Sequence, residues 1–175
     1  MTQMDTYSAP DRPHLPLSGP ERLQLDAFLD FYRATLLTKC DGLDEAQLKT
    51  RPVTTSTMSL LGLVRHLTFV EQVWFEDCFA GRDVAAYYKT ETDREKDFTD
   101  LDSEDVEEVF ARYERACALS RELALGHDLD EMCAKPRRDR NVDLRWIYIH
   151  LIEEYARHCG HADLFRELID GTTGY

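Results

Sequence analysis

The chain has 175 residues, of which 43% are hydrophobic and 31% are charged, a composition typical of one folded domain with a substantial core. Its formal net charge of −13 argues against nucleic acid and anionic membrane surfaces as partners, because both bind basic patches. The sequence has no apolar run of about 20 residues, the length that spans a bilayer. Five widely spaced cysteines without a C-x-x-C pair, and a start without a secretory pattern, favour a reduced cytoplasmic protein.

The N-terminal segment and the first helix are predicted from proline and apolar spacing. Residues 1–19 are rich in proline and show little periodicity, so we predict an extended arm that is either disordered or packed along a neighbour. Residues 20–175 are predicted to form a single domain. Its first helix opens at Pro20, which the first helical turn tolerates, and continues to about residue 39. A short helical turn over residues 44–48 follows.

The second long helix is predicted to be unusually apolar, which is typical of a helix buried on more than one side. Thr54–Thr57 supplies N-cap candidates, and the helix ends near Gly81. His66 lies in its middle. The polar, turn-rich residues 82–102 are predicted to be a long connection.

Two further helices complete the predicted fold. Ser103 or Asp102 is a suitable cap for the third, which has acidic residues in its first turn and ends near Gly126. The last helix is predicted from about residue 141 to Gly171. Because the sequence combines four amphipathic helices with no β-strand alternation, we predict an all-α fold, a four-helix bundle.

The last helix carries a stripe of polar side chains on an apolar face. His150, Glu154, His158 and His161 fall within a sector about 80° wide when each residue turns about 100° around the axis. The same face carries Ile147, Leu151 and Phe165. Because buried polar groups without partners cost free energy, the stripe indicates that these side chains have partners in the fold.

A metal ion is one such partner. Bundles build metal sites from facing helices, and the last helix could offer His158 and His161, with Glu154 one turn below, while His66 would face them from the second helix. Three protein ligands plus water would form an open site, and imidazole suits zinc or nickel. The structural alternative is that these histidines are hydrogen-bonded core residues, the more common role of a lone histidine on an apolar face. His150, two to three turns away along the axis, fits the structural role better.

Two further features have plain structural explanations. Cys159 is next to His158, but its side chain points about 100° away on a helix, so we predict a buried inert thiol. The basic cluster Lys135–Arg140 is typical of a solvated loop, although it could also bind an anionic group at the rim of a pocket.

Two stretches resemble the DinB-like superfamily, and more narrowly its actinobacterial "mini-circle" branch. They read S-L-L-G-L-V-R-H-L-T-F-V-E-Q-V-W-F and L-R-W-I-Y-I-H-L-I-E-E-Y-A-R-H-C-G-H-A-D-L-F-R-E-L-I-D-G. The resemblance covers roughly residues 20–172. It implies a DinB-like four-helix bundle with a divalent metal held by three ligands, commonly as a homodimer. Similar proteins include mycothiol- and bacillithiol-dependent transferases and maleylpyruvate isomerase, in which the metal activates a small thiol.

The resemblance also implies which residues bind the metal. His66 matches the second-helix histidine of the family, and His161 matches a histidine of the last helix. The family spacing, H-x-x-x-H or E-x-x-x-H, would put the third ligand at Arg157, which cannot ligate. The set can be completed either by His158 with His161 or by Glu154 with His158. We favour His66, His158 and His161, with Glu154 as a spare ligand or as an acceptor that orients an imidazole.

The first functional hypothesis is therefore a metal-dependent thiol S-transferase or isomerase-like enzyme that uses mycothiol or a similar thiol and an electrophilic substrate. Arg145, or the loop Arg137–Arg140, is predicted to hold a carboxylate of the thiol or of the substrate. The second hypothesis is a non-catalytic metal-binding or stress-associated dimeric bundle. The third is a structural helical module in which His158 and His161 are hydrogen-bonded core residues.

Overall fold

The computed structural model describes residues 6–85, 87–88 and 95–174. Its regular elements within these residues are helices, beside two isolated β-bridges. The α-helices are α1 (Glu21–Thr38), α2 (Glu45–Lys49), α3 (Leu60–Glu71), α4 (Val106–Ala124) and α5 (Leu144–Asp170). The predicted all-α bundle is confirmed, with α1 packed on α5 and α3 packed on both α4 and α5. No helix in the described part of the chain has the length and apolarity needed to cross a membrane.

The helix starts differ from the predicted ones by a few residues. α3 is capped by Ser59, whose Oγ accepts the backbone N–H of the third residue beyond it at 3.1 Å, so the prediction at Thr54–Thr57 was wrong. α4 is capped by Asp105 rather than by Ser103, which lies in a short 3-10 turn. α5 is capped by Asp143. More than one Ser, Thr, Asp or Asn residue precedes each of these three helices, and the capping residue is the one with extended backbone whose side chain reaches the free N–H groups.

After Glu71, the last residue of α3, the chain continues without a break as a π-helical segment, Gln72–Phe79. Helices of this type are rare, and in proteins they often accompany functional sites. Here the segment carries Trp74, whose ring lies 4.9 Å from the ring of Trp146 at the start of α5. This contact between two tryptophan rings packs the end of the second long helix against the start of α5.

A buried ion pair ties three helices together in the core. Arg33 of α1 donates through Nε and Nη2 to the two carboxylate oxygens of Glu71 at 2.8 and 2.6 Å. Tyr155 of α5 donates its hydroxyl to the same carboxylate at 2.7 Å. All three side chains are buried, so the core contains a polar network whose groups satisfy one another.

The described part of the N-terminal segment, residues 6–19, has no helix and runs along the bundle of its own chain. The ring of Tyr7 stacks on Phe110 of α4 at 3.9 Å. The backbone N–H of Ala9 donates to Asp41 at 2.8 Å. The first five residues of the predicted arm lie outside the described residues.

Candidate metal centre

Three polar side chains converge where α3 faces α5. His66 comes from the middle of α3, and Glu154 and His158 come from successive turns of α5. Glu154 Oε2 lies 3.5 Å from His158 Nε2 and 3.9 Å from His66 Nε2. One ligand atom from each residue lies within 4.8 Å of the others. Two imidazole nitrogens and a carboxylate oxygen therefore surround a common point between the two helices.

The electrostatics of this group suit a cation. The side chains of His66, Glu154 and His158 are only 13%, 18% and 10% exposed. Polar contacts from His158 and then from His66 hold the pKa of Glu154 well below its usual range. Burial lowers the pKa of His158. A carboxylate anion thus faces a neutral imidazole, and these are the protonation states in which both residues bind metals.

A buried carboxylate orients His66 from behind. Asp97 is fully buried, and its Oδ2 lies 2.9 Å from His66 Nδ1. Because a carboxylate accepts hydrogen bonds, Nδ1 of His66 donates in this contact, and Nε2 is the nitrogen left to bind a cation at this centre. Metal-binding histidines commonly donate their second ring nitrogen to a carboxylate in this way.

The connection that carries Asp97 is held against α3 by specific contacts. The buried guanidinium of Arg65 donates to the backbone carbonyls of Thr99 and Lys96 at 2.7 and 2.8 Å. Phe98 packs beside Gly62, where an added Cβ would lie only 2.9 Å from the Phe98 ring. Sequence reasoning missed Asp97, because it lies among other acidic residues of a connection whose path the local sequence does not specify.

His161, which the sequence favoured as a ligand together with His66 and His158, lies behind His158 rather than beside Glu154. Its Nδ1 is 3.3 Å from His158 Nδ1, whereas the opposite ring nitrogen of His158 faces Glu154. His161 is outside the convergent group. If His158 donates from Nδ1 to His161, the Nε2 lone pair is directed at the centre of the group.

A second group adjoins the first and includes His150, which the sequence favoured as structural. His150 Nε2 lies 3.6 Å from Glu154 Oε1, and its Nδ1 lies 3.4 Å from Glu153 Oε2. The ring of Trp146 stacks on His150 at 4.8 Å, and Trp74 meets it edge-on at 4.9 Å. His150 is therefore held between an aromatic wall and two carboxylates.

The two basic candidates for binding an anion differ in their surroundings. Arg145 lies in the first turn of α5, and its Nε donates to Glu21 at 2.9 Å. It is nine residues before Glu154, which corresponds to about 13.5 Å along a helix axis. The guanidinium of Arg137 instead lies 6.0 Å from the ring centroid of Trp74. Arg137 thus contacts the aromatic wall of the second group, whereas Arg145, in the first turn of α5, is engaged by Glu21.

The five cysteines are free thiols in environments that disfavour the thiolate. Burial raises the pKa of Cys78. It raises the pKa to about 12 at the other four, which are Cys40, Cys117, Cys133 and Cys159. Because the thiolate is the nucleophilic form, the chain offers no reactive sulfur of its own at neutral pH, and the predicted inert role of Cys159 agrees with its burial.

The model of the mycothiol S-transferase family matches residues 24–171. This chain belongs to the mycothiol S-transferase family. The family is part of the DinB-like superfamily, so the superfamily resemblance predicted from the two motifs is confirmed. No curated protein matches the chain. The matched span contains the whole convergent group and Asp97, so the family assignment and the candidate metal centre concern the same part of the molecule.

Proposed function

We propose that this protein is a metal-dependent mycothiol S-transferase in which His66, Glu154 and His158 hold a divalent cation, zinc or nickel. The observation that carries the proposal is the convergence of these three donors from two facing helices. Two imidazoles and a carboxylate are a common ligand set of catalytic zinc, and three protein ligands leave a position open for a substrate atom. Membership of the family supports a thiol as that substrate.

The neighbouring residues have supporting roles. Asp97 keeps the proton of His66 on Nδ1, so that Nε2 is available to bind the metal. His161 can accept from His158 Nδ1 and direct the opposite nitrogen in the same way. Glu154 neutralises one of the two positive charges of the cation. The remaining positive charge favours an anionic ligand at the open position.

The reaction joins an exogenous thiol to an electrophile. A divalent cation held by His66, Glu154 and His158 would lower the pKa of a thiol bound beside these residues. The S–H bond of the thiol breaks, the sulfur forms a bond to an electrophilic carbon, and the leaving group departs with the proton. Burial raises the pKa of all five cysteines, which supports an exogenous source for the reacting sulfur.

Arg137 is a better candidate than Arg145 to hold a carboxylate of the thiol or of the substrate. The guanidinium of Arg137 is half-buried beside Trp74, whereas Arg145 already pairs with Glu21. A planar guanidinium binds a carboxylate through two parallel hydrogen bonds. Replacement of Arg137 by Met should therefore raise the KM for the thiol more than replacement of Arg145.

The experiment that tests the proposal measures consumption of mycothiol in the presence of an alkyl halide. Zinc-loaded wild-type protein should consume thiol faster than the uncatalysed reaction, and His66→Ala should not. His127→Ala is the matched control, because His127 is an exposed histidine paired with Glu131 and should retain full activity. Equal rates for metal-free and metal-loaded wild-type protein would contradict metal dependence.

The alternative is a non-catalytic metal-binding or stress-associated bundle. It predicts a bound metal or none, and no thiol consumption with any electrophile, so the same assay separates the two functions. The narrower "mini-circle" placement, the homodimer and the cytoplasmic location remain predictions.

A further inference from the structure

We infer that a second divalent cation binds between His150, Glu153 and Glu154, so that Glu154 bridges two ions. The inference rests on the proposed function for the first ion, and it adds a site that the transferase proposal does not require. The donors are one imidazole nitrogen and two carboxylate oxygens, a mixed set suited to zinc or manganese.

The carboxylate of Glu154 presents its two oxygens to two different histidine groups. Oε2 faces His66 and His158 at 3.9 and 3.5 Å. Oε1 faces His150 Nε2 at 3.6 Å. Helical bundles that hold two metals do so with carboxylates from their helices, and paired catalytic ions are about 3.5–4 Å apart. Each oxygen of Glu154 thus faces a different histidine group, as in a carboxylate that bridges two metal ions.

The remaining donors of the second position come from the same turn of α5. One atom each of His150, Glu153 and Glu154 lies within 4.8 Å of the others. Residues three and four apart on a helix are neighbours on its surface, so one turn of α5 presents all three. Glu153 Oε1 accepts from Arg157, while its Oε2 lies 3.4 Å from His150 Nδ1, the ring nitrogen next to the one that faces Glu154. Arg157 therefore holds this carboxylate and leaves one of its oxygens on the side of His150.

The surroundings of His150 hold the ring but leave access from solvent. The ring of Trp146 lies nearly parallel to it, with an interplanar angle of 25°. Trp74 closes a second side at 74°. The side chains of His150 and Glu153 are 22% and 46% exposed, so an ion can reach the donors without local unfolding.

The charges also favour cations. Glu153, Glu154 and Asp97 contribute three negative charges around the combined centre, and Arg157, which pairs with Glu153, offsets one of them. Two divalent cations would therefore leave a net positive centre that attracts anionic groups of the substrate. The competing explanation is that His150 simply makes polar contacts with Glu153 and Glu154, a common arrangement on helix surfaces.

The test is the number of ions bound per chain. Metal-stripped, untagged protein is dialysed against zinc and its metal content is measured by mass spectrometry, with circular dichroism to verify folding. We expect two ions in wild-type protein and one in both His150→Ala and Glu153→Gln. His127→Ala should keep two, because it removes an exposed histidine that is hydrogen-bonded to Glu131, four residues later, outside the centre.

A second readout tests whether the ions share Glu154. Protein loaded with manganese should give the electron paramagnetic resonance spectrum of an exchange-coupled pair, and Glu153→Gln should give that of an isolated ion. One ion in wild-type protein that is lost in His66→Ala would overturn the second site and leave the proposed function intact. No ion in wild-type protein would contradict both. If His150→Ala does not fold, Glu153→Gln decides, because it keeps the size of a half-exposed side chain.

Discussion

Two glutamates on facing helices, Glu71 of α3 and Glu154 of α5, have contrasting surroundings. Glu71 is fully buried and receives two hydrogen bonds from Arg33 at 2.8 and 2.6 Å and a third from Tyr155 at 2.7 Å. Glu154 lies beside Tyr155 in the sequence, but its nearest histidine nitrogens are 3.5, 3.6 and 3.9 Å away. The carboxylate of Glu71 accepts short hydrogen bonds from its neighbours. The carboxylate of Glu154 is surrounded by histidine nitrogens at longer distances.

The difference separates a structural network from a binding site. A buried carboxylate with a bidentate guanidinium partner needs nothing further. Donor atoms around a tetrahedral zinc, each about 2.0–2.1 Å from the ion, are about 3.3 Å from one another. The separations around Glu154 are near this value, so its surroundings are those of a carboxylate that shares a cation with imidazoles.

The largest expected effect comes from removing the charge of Glu71. Glu71→Gln removes the carboxylate that accepts two hydrogen bonds from buried Arg33, which keeps only the partly exposed Asp30 as an anionic partner, and breaking one side of a buried pair costs about 3–5 kcal/mol. Urea denaturation of metal-free protein measures the loss in the free energy of unfolding. Glu131→Gln, at an exposed site, should change it by less than about 0.5 kcal/mol. A Glu71→Gln variant as stable as wild type would mean that the ion pair does not stabilise the core.

The corresponding change at Glu154 should have the opposite pattern. Glu154→Gln removes the carboxylate of the metal centre, so we expect metal content to fall to background, while the free energy of unfolding of the metal-free protein falls by less than in Glu71→Gln, because no buried arginine loses a carboxylate partner. Metal analysis and urea denaturation of the same preparation test both halves. A destabilised variant that still binds metal would remove the distinction between the two glutamates.

Asp97→Asn should weaken metal binding without abolishing it. The amide no longer accepts from His66 Nδ1 as a carboxylate does, and loss of such a partner typically lowers metal affinity about 10–100-fold. Competition with a chelator of known affinity measures the change. Asp100→Asn is the matched control, because Asp100 is an exposed residue of the same connection with a positive φ of 55°, which asparagine tolerates.

The smallest effect is expected at His161. If it only orients His158, His161→Ala should lower metal affinity by about tenfold, at the lower end of the range for such partners. The same chelator competition applies, with His127→Ala as the control. Complete loss of metal would identify His161 as a ligand and would restore the set that the sequence favoured.

The helices could be predicted because their apolar periodicity is a local property. Helix α5 ends at Gly171, as predicted, where the residue has a φ of +77° that glycine adopts without strain. The caps could not be chosen among neighbouring Ser, Thr and Asp residues, because the choice depends on backbone geometry. The π-helical winding of Gln72–Phe79 had no signal in the apolar pattern.

The candidate site could be predicted only in part. The apolar periodicity predicts that Glu154, His158 and His161 share one face of a helix. It does not predict which of them lies level with His66 along the helix axis. The level of each residue relative to His66 depends on how α3 packs on α5, which is a tertiary property. Asp97 lies in the predicted connection 82–102. Its position at the site depends on contacts between residues distant in sequence, such as those of Arg65 with Thr99 and Lys96.

The most direct test of the metal centre is anomalous X-ray diffraction from crystals of the zinc-loaded protein. We expect an anomalous peak between α3 and α5, about 2.0–2.2 Å from His66 Nε2, Glu154 Oε2 and His158 Nε2. A peak bound by His161 instead of Glu154, or no peak between the two helices, would contradict it.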